Sequence, residues 1–305
     1  MNKKVKILTA LMSLFAAVAT ISCSSNNNND NINTDIINAK WIITTPDSDY
    51  ASFEFTSYGH YIVIENTPAA TTESSSAGKL KSSFLQKGVL VAMNTAATAS
   101  SEQESNLSPI HHGTYTKNGD VITLTGFGVL TIISITAEQF TFSFTLTENG
   151  ETGEYTANTS APPISESERT KLMCRAWTVK DITIDEDAMS EDDKEHYFNK
   201  YGPAWTDSLI QGGIDKGILN ATALFSRAGT YLVLYAKEDS EAGLAEWKWV
   251  NSEEKSFYYS WNNWQDNWDD NIVEIIELNK TSLIFIDTKQ FDDRYVMIYN
   301  LALKE

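Results

Sequence analysis

Cysteine is nearly absent from this chain: 305 residues carry two, Cys23 and Cys174. A disulfide scaffold of the kind that supports small exported domains is therefore excluded. Positive charge is scarce as well. Lys and Arg total 23 against 41 Asp and Glu, a formal net charge of −18, and no stretch forms a basic patch. Without such a patch the phosphate contacts that dominate nucleic-acid affinity cannot be made, which excludes a nucleic-acid partner. Histidine is limited to His60, His111, His112 and His196. The adjacent pair His111-His112 would point to opposite faces of a strand and would not easily chelate one ion. No His-x-x-x-His, Cys-x-x-Cys or Gly-x-Ser-x-Gly occurs. Nothing here argues for an enzyme, and no catalytic residue, metal or cofactor is expected.

What is present begins with an address. Lys3, Lys4 and Lys6 precede an apolar stretch, Ile7 to Ile21, that is too short for a membrane span; residues 1–22 read as a secretory signal peptide. Small residues at Thr20 and Ser22 lead to Cys23. A cysteine at the cleavage point resembles a bacterial lipoprotein signal, in which the peptidase cuts before the Cys and its thiol is acylated. The resemblance implies lipidation of Cys23 and anchoring to the bacterial outer membrane, on its periplasmic face or at the cell surface. With Cys23 acylated, only Cys174 remains and no intrachain disulfide can form. Cys174, three residues before Trp177, reads as a small buried residue rather than a nucleophile. Residues 23–35, polar and with four consecutive Asn at 26–29, form a flexible tether.

The chain then contains one design twice. Phe55-Thr-Ser-Tyr-Gly-His-Tyr-Ile-Val-Ile-Glu65 returns as Phe225-Ser-Arg-Ala-Gly-Thr-Tyr-Leu-Val-Leu-Tyr235. Each copy is a hydrophobic strand, a Gly-containing turn and an aromatic strand, which is a β-hairpin pattern. A self-similar unit predicts two related domains, 36–160 and 170–305, joined by a linker at 161–169 around Ala161-Pro-Pro-Ile164. Trp177 matches Trp41, Trp247 takes the place of Tyr115, and residues 272–285 align without a gap on 129–142. Lys117-Asn-Gly-Asp120 and Asn149-Gly150 are hairpin signals. Residues 66–109, rich in Ala, Ser and Thr, read as a long loop with an apolar island from Phe84 to Met93.

The second copy carries an insertion, 185–220, with helical character. Ser190-Glu-Asp-Asp193 is a capping signal, and Tyr197, Phe198, Tyr201, Trp205, Leu209 and Ile210 suggest an apolar stripe. Gly202-Pro203 should break it and Gly212-Gly213 should end it. Such an insertion either plugs or covers one end of a barrel or pads its outside, and padding is the commoner case.

The single Trp, then Phe-Ser/Thr-x-x-Gly-x-Tyr, then a Leu/Thr-rich hairpin (Leu278 to Leu283; Ile135 to Phe140) together resemble the lipocalin-like domain of Bacteroidota lipoproteins. That resemblance implies an all-β chain of two tandem small antiparallel up-and-down (lipocalin-like) β-barrels. A β-sandwich is the alternative. The resemblance implies no particular activity, and it leaves open whether either barrel is hollow.

Aromatic residues concentrate at 247–268, which holds five of the eight tryptophans. Trp261, Trp264 and Trp268 alternate with Asn263 and Asp266, a combination that suits carbohydrate: indole faces cover the apolar face of a sugar while amide and carboxylate bond its hydroxyls. The competing reading makes Trp247, Trp249 and Tyr259 core and lets the other three pack a hairpin against the barrel. Asp266 to Asn271 resembles a Ca²⁺ loop but has Trp268 and Asn271 where an EF-hand needs a ligand and a Gly, so it reads as a solvated acidic loop. The expected function is a lipid-anchored binding module for a glycan or a small apolar molecule. The alternatives are a structural or protein-interaction lipoprotein with filled barrels, and a glycan-acting enzyme, which would need two carboxylates in a cleft.

Overall fold

The computed structural model describes residues 36–66, 110–160, 164–237, 242–261, 272–287 and 296–304. Alternating strands separated by Gly and Asn turns fold into two tandem, closed, antiparallel barrels of eight strands each. The first contains β1 (Ala39–Ile43), β2 (Tyr50–Phe55), β3 (His60–Glu65), β4 (Ile110–Asn118), β5 (Val121–Leu124), β6 (Gly128–Ile135), β7 (Gln139–Leu146) and β8 (Thr152–Thr159). It closes where Trp41 of β1 faces Thr159 of β8. In the second barrel a short helix, α1 (Glu168–Met173), precedes β9 (Ala176–Ile184); α2 (Glu191–Tyr201) and α3 (Trp205–Asp215) follow. Then come β10 (Thr222–Phe225), β11 (Thr230–Leu234), β12 (Gly243–Trp249), β13 (Ser256–Ser260), β14 (Ile272–Leu278), β15 (Ser282–Asp287) and β16 (Met297–Leu303). Pairing of β16 with β9 closes it. Closure leaves no unpaired sheet edge and rules out the sandwich. Among the described residues no helix is long and apolar enough to cross a membrane.

The repeat holds bond by bond. Trp41 faces Phe53 as Trp177 faces Ala223, and Phe55 faces Tyr61 as Phe225 faces Tyr231. Both hairpins turn on a glycine in the left-handed region, Gly59 at φ 82° and Gly229 at φ 86°, where a side chain would be strained. The Tyr115 N–H donates to Gly59 O and the Trp247 N–H to Gly229 O, each at 2.8 Å.

Among the described residues, inward-facing side chains form a buried apolar core in each barrel. Trp41, Phe53, Phe55, Phe140 and Phe142 are fully buried in the first, and Trp177, Trp247, Phe225, Phe257 and Phe285 in the second. Burying each such ring stabilises the fold by about 1.5–3 kcal/mol. The two matched indoles are satisfied alike: Trp41 Nε1 donates to Ile36 O at 3.3 Å and Trp177 Nε1 to Met173 O at 3.0 Å.

The insertion departs from expectation in two ways. First, α3 runs through Gly212-Gly213 and ends at Asp215. Gly213 is buried, and a Cβ there would lie 3.6 Å from Ile182 Cδ1, so the glycine lets the helix approach β9 closely. Second, the helices do more than pad the outside: Tyr197 and Trp205 belong to the same buried cluster as the barrel interior. Phe198 and Tyr201, assigned to the apolar stripe, are instead 51% and 41% exposed. Ser190 does cap α2, accepting from the Asp193 N–H at 3.2 Å, and α2 stops at Gly202, φ 79°.

A third, small apolar cluster lies outside both interiors. Ile62 of β3 and Leu224 and Leu232 of β10 and β11 point outward, yet all are buried together, with Ile64, Leu234 and Leu244 around them. The two copies of the repeated hairpin thus meet along a seam. Across it the Tyr58 hydroxyl donates to Phe225 O, and the Thr230 hydroxyl donates to Glu54 Oε2 at 2.6 Å.

Candidate functional site

Matching register shows where the two barrels differ. The pair Leu130–Phe144 in the first becomes Val273–Asp287 in the second, and Tyr115–Leu124 becomes Trp247–Tyr259. Tyr61 and Tyr155 keep their character as Tyr231 and Tyr299. One end of the second interior therefore holds a carboxylate and three phenols where the first has Leu, Phe and two phenols.

All four groups are deeply buried, Asp287 at 1% exposure. Trp261, directly after β13, packs on two of them, its ring 5.7 Å from Tyr231 and 6.3 Å from Tyr259. Gly243 on β12 makes room for that indole: a Cβ there would lie 3.1 Å from Trp261 Cζ3. The Tyr299 hydroxyl lies 3.0 Å from Met297 Sδ. Burial pushes the Tyr231 and Tyr259 phenols well above their ordinary pKa, and the neighbouring Asp287 and Tyr299 add to the rise. Both stay neutral and keep their O–H donors at any physiological pH. A buried carboxylate is costly unless neighbouring donors compensate, so Asp287 is not a packing residue of convenience. Of this set only the Trp261 indole is partly exposed, an aromatic face of the kind that covers the apolar face of a sugar ring.

Of the residues singled out in the sequence, the structure describes Trp261, which is half-buried at this end of the second barrel. Trp264, Trp268, Asn263, Asp266 and the lipidation candidate Cys23 lie outside the described residues, as does the acidic loop to Asn271. Trp247 and Tyr259 are core; Trp249 is half-buried and donates from Nε1 to Thr170 Oγ1 at 2.8 Å. Cys174 is buried, and burial pushes its thiol far up, which removes the thiolate a nucleophile needs. His111 pairs with Glu65 at 2.7 Å and stacks on Phe127 at 4.1 Å. Among the described residues no group of three or more His, Cys, Asp or Glu could hold a metal ion.

Asp287 and Tyr299 drew no notice as sequence. The signal was nonetheless there: carrying the ungapped alignment of 272–285 on 129–142 two residues further sets Asp287 on Phe144. No protein-family model matches this chain, and no curated protein matches it.

Proposed function

We propose that this chain is a non-catalytic binding module, lipid-anchored through Cys23 to the outer membrane of a bacterial cell envelope and related to the lipocalin-like lipoproteins of Bacteroidota. Its ligand is a glycan, met at the Trp261 end of the second barrel. One observation carries the reading: Trp261 is half-buried at the end of the second barrel and packs on Tyr231 and on Tyr259, which stands where the first barrel has Leu124. The many fully buried rings among the described residues favour the glycan over a chain-like apolar ligand. Among the described residues, Trp261 and Tyr235, both half-buried, are aromatic faces offered at this end.

A second reading has its own support. The full burial of Trp41, Trp177 and Trp247 suits a structural or protein-interaction lipoprotein that holds no ligand at all. Probing immobilised neutral glycans with the full chain and with Trp261→Ala separates the two. Binding by the first and not the second supports the glycan module. A folded full chain that binds no glycan leaves the structural reading in possession.

A further inference from the structure

Beside the seam, and away from the Trp261 end, lies a cleft of about 340 Å³ whose charge runs against that of the whole molecule. Lys171, Arg175 and Lys304 line it together with Tyr58, His60 and Leu303, and no carboxylate does. In a chain with 41 acidic and 23 basic residues, three cations around one recess with no acid in its wall is an exceptional grouping.

The positions of these cations follow from the fold. Lys171 sits on α1, Arg175 just after it, and Lys304 just beyond β16, so two chain ends of the second barrel bring them together against the first barrel's β2–β3 turn. Their present partners leave the charges largely available. Lys171 meets Glu168 at 2.6 Å, but that carboxylate is 87% exposed, so solvent screens the pair. Arg175 Nη1 donates to the backbone O of Lys280 at 2.9 Å, and Lys304 Nζ to the neutral Thr222 hydroxyl at 3.2 Å. Neither bond neutralises a charge. Burial, and then the Lys304 charge, hold the His60 imidazole below its ordinary pKa, so it adds no charge near pH 7.

We propose that this cleft binds a small anion on a body of monosaccharide size, its carboxylate or phosphate held by Arg175 and Lys304 and its body against Tyr58 and Leu303. The volume lies at the low end of small-molecule sites. Guanidinium and ammonium together form the donor set that recognises both acid groups. The site is independent of the glycan reading, because none of its lining residues belongs to the Trp261 end.

Calorimetric titration of the full chain at low salt with glucuronate, glucose 6-phosphate and glucose tests it. The expected result is binding of one or both acids, none of glucose, and loss of affinity with added salt. Binding of glucuronate alone assigns a carboxylate ligand, and of glucose 6-phosphate alone a phosphate. Lys304 is exposed, so Lys304→Gln leaves the barrel intact and should weaken binding about tenfold or more, as should Arg175→Gln. Lys194→Gln, in α2, should change nothing. Binding of neither acid overturns the proposal, and so does binding that survives both cleft substitutions.

Discussion

The Thr230 hydroxyl on the second barrel donates a 2.6 Å hydrogen bond to the Glu54 carboxylate on the first. Both residues belong to the repeated hairpins, and Glu54 occupies the position at which the second copy has Leu224. The acid is 2% exposed, on the outward face of β2, and closes the polar side of an otherwise apolar seam. Burial raises its pKa; hydrogen bonds from Ser226 and Thr230 offset part of the rise.

A raised carboxylate pKa means that the folded chain holds a proton the unfolded chain releases. Stability from this group is thus fully present below the ordinary value of 4.5 and is lost as pH rises from there toward the folded value. Glu54→Gln removes the titration and keeps the shape. Thermal unfolding should show variant and wild type nearly equal at about pH 4 and the variant increasingly more stable toward about pH 8. A difference that does not change with pH would show that Glu54 is ionised in the seam.

Gly128 is fixed by packing, not by turn geometry. A Cβ there would lie 2.5 Å from Phe144 Cε2 and 2.6 Å from the backbone O of Thr145. Gly128→Ala should therefore cost about 1–3 kcal/mol, read as a lower urea midpoint with an unchanged slope.

Glu254 ties α1 to the β12–β13 turn. Its carboxylate accepts from Ser165 Oγ at 2.6 Å and from Ser167 Oγ, the residue that caps α1, while Arg169 Nε donates to its backbone O. Glu254→Ala removes the charged acceptor shared by the exposed Ser165 and half-buried Ser167 hydroxyls and should lower stability by about 1–3 kcal/mol in the same assay. Protease cleavage near α1 should rise with it, which a loss spread over the whole barrel would not produce.

Membrane attachment is tested by labelled palmitate in a bacterial host. The full chain should incorporate label and sediment with membranes, and Cys23→Ser should do neither. Equal labelling of both would place the acyl chain elsewhere.

What was legible in the sequence is what local chemistry dictates. Gly59 and Gly229 mark left-handed turns, and the flanking alternation marks strands, so the two barrels could be read before they were seen. The seam was legible only in part. Tyr-Ile-Val-Ile at 61–64 and Tyr-Leu-Val-Leu at 231–234 are continuous apolar runs, the pattern of strands buried on both faces, but nothing in either run names what covers the outer face. The six-residue helix α1 is too short to show a period. Gly212-Gly213 misled because a helical glycine looks like a stop until the close approach to Ile182 supplies its reason. Asp287, the last residue of a Leu-Ile-Phe-Ile-Asp strand, looks like the start of a turn; Tyr231, Tyr259 and Tyr299, buried at the same end, come from β11, β13 and the neighbouring β16.

The account rests on both barrels being filled, so that any ligand is met at their ends or along the seam. Titration of the full chain with a fluorescent polyunsaturated fatty acid, a probe that hollow barrels take up into their interiors, tests this most directly. The account predicts no saturable rise in emission. A saturable rise that an unlabelled fatty acid competes away would show an interior open to apolar ligands and would contradict it.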